Sequence, residues 1–318
     1  MPNYSGVWSL SQQFQAVGQG LWPPNFVPTE TFAIFALGCA PSASTTRNKY
    51  TYSGCSVTAG GAATAASTYG SAAGNSTTGI FALGQVSGSS STTRNKYTYA
   101  SCVVGAGGAS TVASYEGSAA GNSTVGIFAL GRAPSCRTTT RDKYTYSGCV
   151  VSAGGAATRA SSYGVAAGNS TVGIFALGAS ASCGAITTRN KYTYSGCVVS
   201  AATAATFCSY AGSAAGNSTF GIFAFGIASG GRSALRQKYT YSGDTNAFGT
   251  SASAGADSGS AAGNSTVGIF AIGFTNCGRV TTRDKYTYSG CVNAAGGAAT
   301  AASSSGSAAS NGTSGVNM

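Results

Sequence analysis

The chain has 318 residues, only 7% of them charged, with 48 glycines and no histidine, so histidine-based catalysis and histidine metal sites are excluded. Its 43% hydrophobic and 10% aromatic content argues against a polar disordered linker. The net charge of +11 is dispersed, because twelve of the 17 basic residues belong to a recurring R-x-K-Y-T-Y, and no apolar run approaches the roughly 20 residues that span a bilayer, so neither a clustered nucleic-acid patch nor a membrane span is expected.

Residues 1–31 stand apart as an N-terminal extension. The opening MPNYSGVWSLSQQF lacks a basic segment followed by an apolar one, so no secretory leader is expected there. Leu10, Phe14 and Val17 share one face of a short helix, with Ser9 as N-cap and Gly18 and Gly20 as its end. Pro23, Pro24 and Pro28 then impose an extended connection. Both tryptophans fall here. Trp8, Phe14 and Trp22 are candidate docking residues for a partner or a second copy. The plainer alternative is a lid packed on the rest of the chain.

Residues 32–318 are one sentence written six times: GIFALG, a loop, TTRNKYTYSGC, then a Gly/Ala/Ser run ending in SAAGNST. The isoleucines Ile34, Ile80, Ile127, Ile174, Ile222 and Ile269 recur every 46 to 48 residues, a strong sign of a repeat fold. Each unit reads as four short strands. GIFALG is an apolar run bounded by glycine, and KYTYSG alternates with period two. CVVSAGG is a third strand, and the small residues of SAAG form a fourth. Gly-Asn before Ser-Thr reads as a hairpin turn in which both residues tolerate positive φ. Four strands in about 47 residues is the size of one propeller blade. The expected architecture is therefore all-β, six-bladed, with Phe and Leu of IFALG on one face and Ile and Ala on the other, so that a bulky face packs on a smaller one. The first repeat lacks a small-residue strand before it, and the last lacks an IFALG strand after it. Ser307–Asn311 is thus expected to pair with Ile34–Gly38 and close the ring. A six-coil β-solenoid is the alternative architecture.

Ten cysteines punctuate the repeats. Cys55, Cys102, Cys149, Cys197 and Cys291 follow the tyrosine strand. Cys39, Cys136, Cys183 and Cys277 lie in the loop after IFALG, and Cys208 is separate. Co-occurrence suggests the disulfide pairs Cys39–Cys55, Cys136–Cys149, Cys183–Cys197 and Cys277–Cys291, leaving Cys102 and Cys208 as odd or intersubunit cysteines. Distance along a continuous TTRNKYTY strand opposes those pairs, and buried free thiols are the alternative. With no histidine and no C-x-x-C, zinc is not expected.

The acids Glu30, Glu116, Asp142, Asp244, Asp257 and Asp284 do not recur in every repeat, so no catalytic carboxylate pair is indicated. The Asn-Ser-Thr triplets read as turns in preference to glycan acceptors. The pairs Arg47 and Lys49, Arg94 and Lys96, Arg141 and Lys143, Arg189 and Lys191, Arg236 and Lys238, and Arg283 and Lys285 define a candidate basic ring for an anionic glycan or an acidic neighbour. The plainer reading is that they solvate an outer strand.

The sequence strand, Gly-Asn turn, strand ending in Gly, variable loop, tyrosine strand and return strand resembles a kelch-type β-propeller blade over residues 32–318. It departs from that pattern where Leu-Gly replaces the double glycine and Cys-Val replaces the second aromatic. Together with the opening GVWSLSQQFQA…LWPP, it resembles kelch-like proteins encoded by tailed bacteriophages. The resemblance implies a non-catalytic structural or adhesive virion component in the tail, neck, fibre or decoration, made in the host cytoplasm and working in the extracellular particle. It implies no cofactor. The expected partners are other virion proteins, copies of itself or a host-surface glycan. A carbohydrate-binding, lectin-like propeller is the alternative. The loops APSASTT, QVSGSSSTT and RAPSCRTT weaken it, because they offer no Trp or Tyr to stack on sugars.

Overall fold

The computed structural model describes residues 31–176, 178–181 and 184–312. The expected helix, the docking residues Trp8, Phe14 and Trp22, and Cys183 lie outside them.

The third repeat shows how the sequence sets the local structure. Val125–Ala129 is the central strand, with Gly126 at its second position, and it alternates a small face with a bulky one. It pairs antiparallel with Ser118–Gly121, Ser118 opposite Ala129 and Gly121 opposite Gly126. On its other side lies Arg141–Thr145, with Val125 opposite Thr145 and Ala129 opposite Arg141. Val150–Ala153 completes the sheet as its exposed edge. Every repeat builds the same four-stranded antiparallel sheet, and four smaller three-stranded sheets join the loop after a central strand to the segment that leads into the small-residue strand paired with that central strand.

The Asn-Ser-Thr turn differs from the expected hairpin. Neither Gly121 nor Asn122 adopts positive φ. The Asn122 side chain holds the turn instead, accepting from the Thr124 and Val125 amides at 2.9 Å each. Glycine is needed for space. A Cβ on Gly121 would lie 2.6 Å from the Val125 carbonyl oxygen and 2.7 Å from the Tyr146 hydroxyl.

Sheets stack because each has one small face and one bulky face. Val125 and Ile127 of the third repeat pack against Phe175, Tyr192 and Tyr194 of the fourth. The same seam recurs between the other consecutive repeats. It recurs again between the sixth and the first, where Val267 and Ile269 meet Phe35, Tyr50 and Tyr52. Each sheet therefore has a neighbour on both faces. Burial of an aromatic or branched side chain contributes about 1.5–3 kcal/mol, so each seam is a substantial core by itself. The strand Ser307–Ser310 pairs antiparallel with the first central strand, Ala33 opposite Ser310 and Ala36 opposite Ser307, so the first sheet is built from both ends of the described chain.

Candidate functional site

Three sets of hydrogen bonds run from repeat to repeat. The first involves the arginines of R-x-K. All six are buried, at 0–1% exposure, so they are withdrawn from the candidate basic ring. Each guanidinium crosses the seam to the middle residue of R-x-K in the next repeat. Arg47 donates to Asn95 at 3.1 Å, Arg94 to Asp142 at 2.7 Å and Arg141 to Asn190 at 3.1 Å. Arg189 donates to Gln237 at 2.6 Å, Arg236 to Asp284 at 2.7 Å and Arg283 to Asn48 at 3.0 Å. Each also lies over the next repeat's phenylalanine, as Arg141 does over Phe175 at 4.6 Å. Burial lowers Arg47, Arg141, Arg189 and Arg283 from 12.5 to about 10. The lysines are half-buried and of mixed surroundings. Lys49 and Lys238 rest on Phe32 and Phe220, and Lys285 approaches the Cys55 thiol at 3.7 Å.

The second set lies at the Asn-Ser-Thr turns. Asn122 Nδ2 donates to the Ser170 carbonyl of the next repeat at 3.1 Å, and the contact recurs from Asn75, Asn169 and Asn217. The triplets thus serve as turns and as inter-repeat ties.

The third set forms a ring at the opposite end of the small-residue strands. The residue before the Gly of each GSAAG-like run is Tyr69, Glu116, Tyr163, Ala211, Ser258 or Ser305, and all six have φ between 53° and 57°. This left-handed conformation costs about 1–2 kcal/mol for a residue with a side chain. The hydrogen bonds it permits offset that cost. Tyr69 N donates to Ser305 O at 2.8 Å, Glu116 N to Tyr69 O at 3.1 Å and Tyr163 N to Glu116 O at 2.8 Å. Ala211 N donates to Tyr163 O at 3.0 Å, Ser258 N to Ala211 O at 2.7 Å and Ser305 N to Ser258 O at 2.7 Å, which returns to the start. The ring surrounds an open depression lined by these six residues and the small-residue strands that follow them.

The mouth of this depression does not follow the sixfold pattern. On one side Tyr69 and Tyr163 meet at 6.1 Å between centroids, flanked by Tyr115 at 6.4 Å and Tyr210 at 5.9 Å. On the other side stand Ala211, Ser258 and Ser305. Glu116 lies within the tyrosine arc at 6% exposure. Burial, together with the neighbouring Glu116 carboxylate, raises the Tyr163 phenol far above its ordinary range. Glu116 Oε2 is buried without a protein partner. Among the described residues, Asp142, Asp257 and Asp284 each pair with an arginine. Asp244 accepts bonds from Tyr239 and Thr203 and lies near Lys191, which hold its carboxyl below the usual range although burial opposes them. Among the described acids, Glu116 alone is buried without an ion pair.

The cysteines divide by position. Cys39, Cys136 and Cys277 sit in the loop at the Arg end of the tyrosine strand, while Cys55, Cys149 and Cys291 sit in the hairpin at its Thr end. A five-residue strand separates each pair by about 13 Å, against the roughly 7 Å that a disulfide spans. The expected bonds Cys39–Cys55, Cys136–Cys149 and Cys277–Cys291 are therefore corrected to free thiols, and Cys183–Cys197 falls on an undescribed residue. Cys102 is not odd. It holds the same station as Cys55, Cys149, Cys197 and Cys291, each at φ between 51° and 55°, and the fifth repeat puts Asp244 there at φ 49°. There the thiol neighbours the tyrosine of the same hairpin, as Cys149 does Tyr144, whose phenol is raised by burial and by that neighbour. Cys208 is exposed.

Sequence reasoning missed the mouth. It inspected the loops after IFALG for aromatics, whereas the tyrosines precede the small-residue strands. The signal was present as STYGS, SYEGS, SSYGV and SYAGS in the first four such runs. Among the described residues, no group of three or more Cys, Asp or Glu is placed to hold a metal, and no helix is long and apolar enough to cross a membrane. Compared with protein-family models and with curated proteins, the chain matches none.

Proposed function

We propose that the chain is a six-bladed, kelch-like β-propeller that works as a non-catalytic structural or adhesive component of a tailed-phage particle. The observation that carries the scaffold reading is the ring of six backbone hydrogen bonds that starts and ends at Ser305, reinforced by the six arginine ties. Such a ring fixes every blade against two neighbours and leaves the loops free to vary. The phage setting rests on the resemblance of the repeat and the N-terminal segment to phage-encoded kelch-like proteins. On this reading the chain is made in the host cytoplasm, and its partners are virion proteins or further copies. Antibody against the purified protein is expected to decorate assembled particles in electron micrographs, and the free protein to compete with particle adsorption to host cells. Particles that carry none of the chain overturn the setting. Decoration without competition restricts the role to structure.

A carbohydrate-binding propeller is the second reading, and one observation favours it. The tyrosine arc supplies the stacking surface that the variable loops lack, beside a carboxylate able to accept from a ligand donor. Binding of the protein to immobilised host glycans, lost in Tyr69→Ala, is the expected result. Undiminished binding by Tyr69→Ala removes the mouth from that role.

A further inference from the structure

We propose that the ligand of the mouth carries an ammonium group, held on the tyrosine arc with Glu116 as its countercharge. This deepens the reading of the mouth as a binding site and rests on it. The argument begins with charge. The chain has 17 basic residues and six acids, so a carboxylate has cations to choose from. The two seam aspartates and Asp257 use them. Glu116 does not, although it is buried at 6% exposure and its Oε2 lacks a partner. Two arginines of the same repeat have other partners. Arg132 lies over the Tyr115 ring, and Arg137 donates to Ser162 Oγ at 2.9 Å. A carboxylate held out of water without a cation is unfavourable, and the neighbouring Tyr163 hydroxyl brings no charge to balance it.

The surroundings of Glu116 suit an external cation. The faces of aromatic rings attract cations, and four tyrosines converge here. A carboxylate lining the same depression as Tyr69 and Tyr163 strengthens the attraction in a setting of low dielectric. The opposite wall of Ala211, Ser258 and Ser305 presents small and neutral groups, which leaves room for the rest of the ligand and adds no competing positive charge. A neutral sugar would use the rings without needing the carboxylate. An ammonium group uses both. The chemistry is shared by an amino sugar with a free amine, a lysine side chain and a quaternary ammonium head.

Titration of the full chain with tetramethylammonium, glucosamine, lysine methyl ester and glucose, followed by calorimetry, tests this. The cations are expected to bind and glucose not to. Glu116→Gln is expected to weaken cation binding by at least about tenfold, the order of a desolvated cation–π and charge contact. Ser258→Lys, which sets a fixed cation in the mouth, is expected to abolish it and keeps the test open should Glu116→Gln fold poorly. Comparison of glucosamine with lysine methyl ester identifies the source of the amine. Equal binding of glucose and glucosamine, unchanged in both variants, overturns the ammonium proposal and leaves a neutral-sugar site. No binding by any probe overturns the mouth as a binding site as well.

Discussion

The seams between sheets and the mouth of the ring are built from the same repeat, yet they obey opposite rules. In the seam every position is kept: the arginine, the acceptor after it, the phenylalanine beneath it and the tyrosine pair recur six times. At the mouth the backbone is kept, with six left-handed residues in one hydrogen-bonded ring, while the side chains change from Tyr to Glu, Ala and Ser. Repetition in a ring marks what each unit owes its neighbours. Departure on an intact backbone marks what the ring as a whole presents to something else.

Perturbing the seam should therefore damage the fold, most of all where the ends meet. A chain ending at Gly306 loses the strand Ser307–Ser310 and leaves the first sheet with three strands and an open edge. It is expected to lose cooperative unfolding and to aggregate. A sharp unfolding transition in that truncation would show that closure is dispensable.

High pH attacks every seam at once. Burial raises the Tyr97 phenol from 10.0 to about 12, with the neighbouring Cys102 thiol adding to it, and pushes the fully buried Tyr99, Tyr146, Tyr241 and Tyr288 higher still. A raised phenol supports the fold while it stays neutral. That contribution is complete below pH 10.0 and is lost as pH climbs through the folded values. The arginines lowered to about 10 act in the opposite sense, because the cost of their charge is relieved between about 10 and 12.5. Twelve seam tyrosines are raised against six arginines lowered, so a net loss is expected above pH 10. Phenolate absorbance should rise in one cooperative step together with loss of β-sheet circular dichroism. Gradual titration of an intact fold would contradict this.

A single tie should cost less. Arg141→Ala leaves Asn190 with only the Thr158 amide as a donor across the seam and Phe175 without its cover, and is expected to destabilise by about 3 kcal/mol in denaturant titration. Exchanging the acceptor should cost least. Asn95 accepts from Arg47 and Thr64 N and donates to Thr64 Oγ1, whereas Asp142 accepts from Arg94, from Thr111 N and from the Thr111 hydroxyl. A turn of that hydroxyl accommodates the amide, so Asp142→Asn is expected within about 1 kcal/mol of the parent. A larger loss would mean that the ion pair itself contributes.

The repeated sheet was legible because its signals are local. Glycine bounds IFALG, KYTY alternates with period two, and Asn-Ser-Thr marks a turn. The burial of the arginines was not, because Arg141 and Lys143 share one face and alternation cannot tell which of them a neighbouring sheet will cover. A trace existed in the residue between them, which is Asn, Asp or Gln in all six repeats and so always able to accept. The cysteines misled because co-occurrence carries no direction, while the two stations lie at opposite ends of one strand. The mouth was hidden for a topological reason. Residues 69, 116, 163 and 210 are about 47 positions apart and meet only where the inner strands converge.

The most direct test of the division between seam and mouth is the denaturation midpoint of Glu116→Gln without ligand. A buried carboxylate kept for binding is a burden to the free protein, so its replacement by the neutral amide should leave the midpoint unchanged or raise it. A fall comparable to that of Arg141→Ala would place Glu116 among the residues that hold the ring together and would contradict the account.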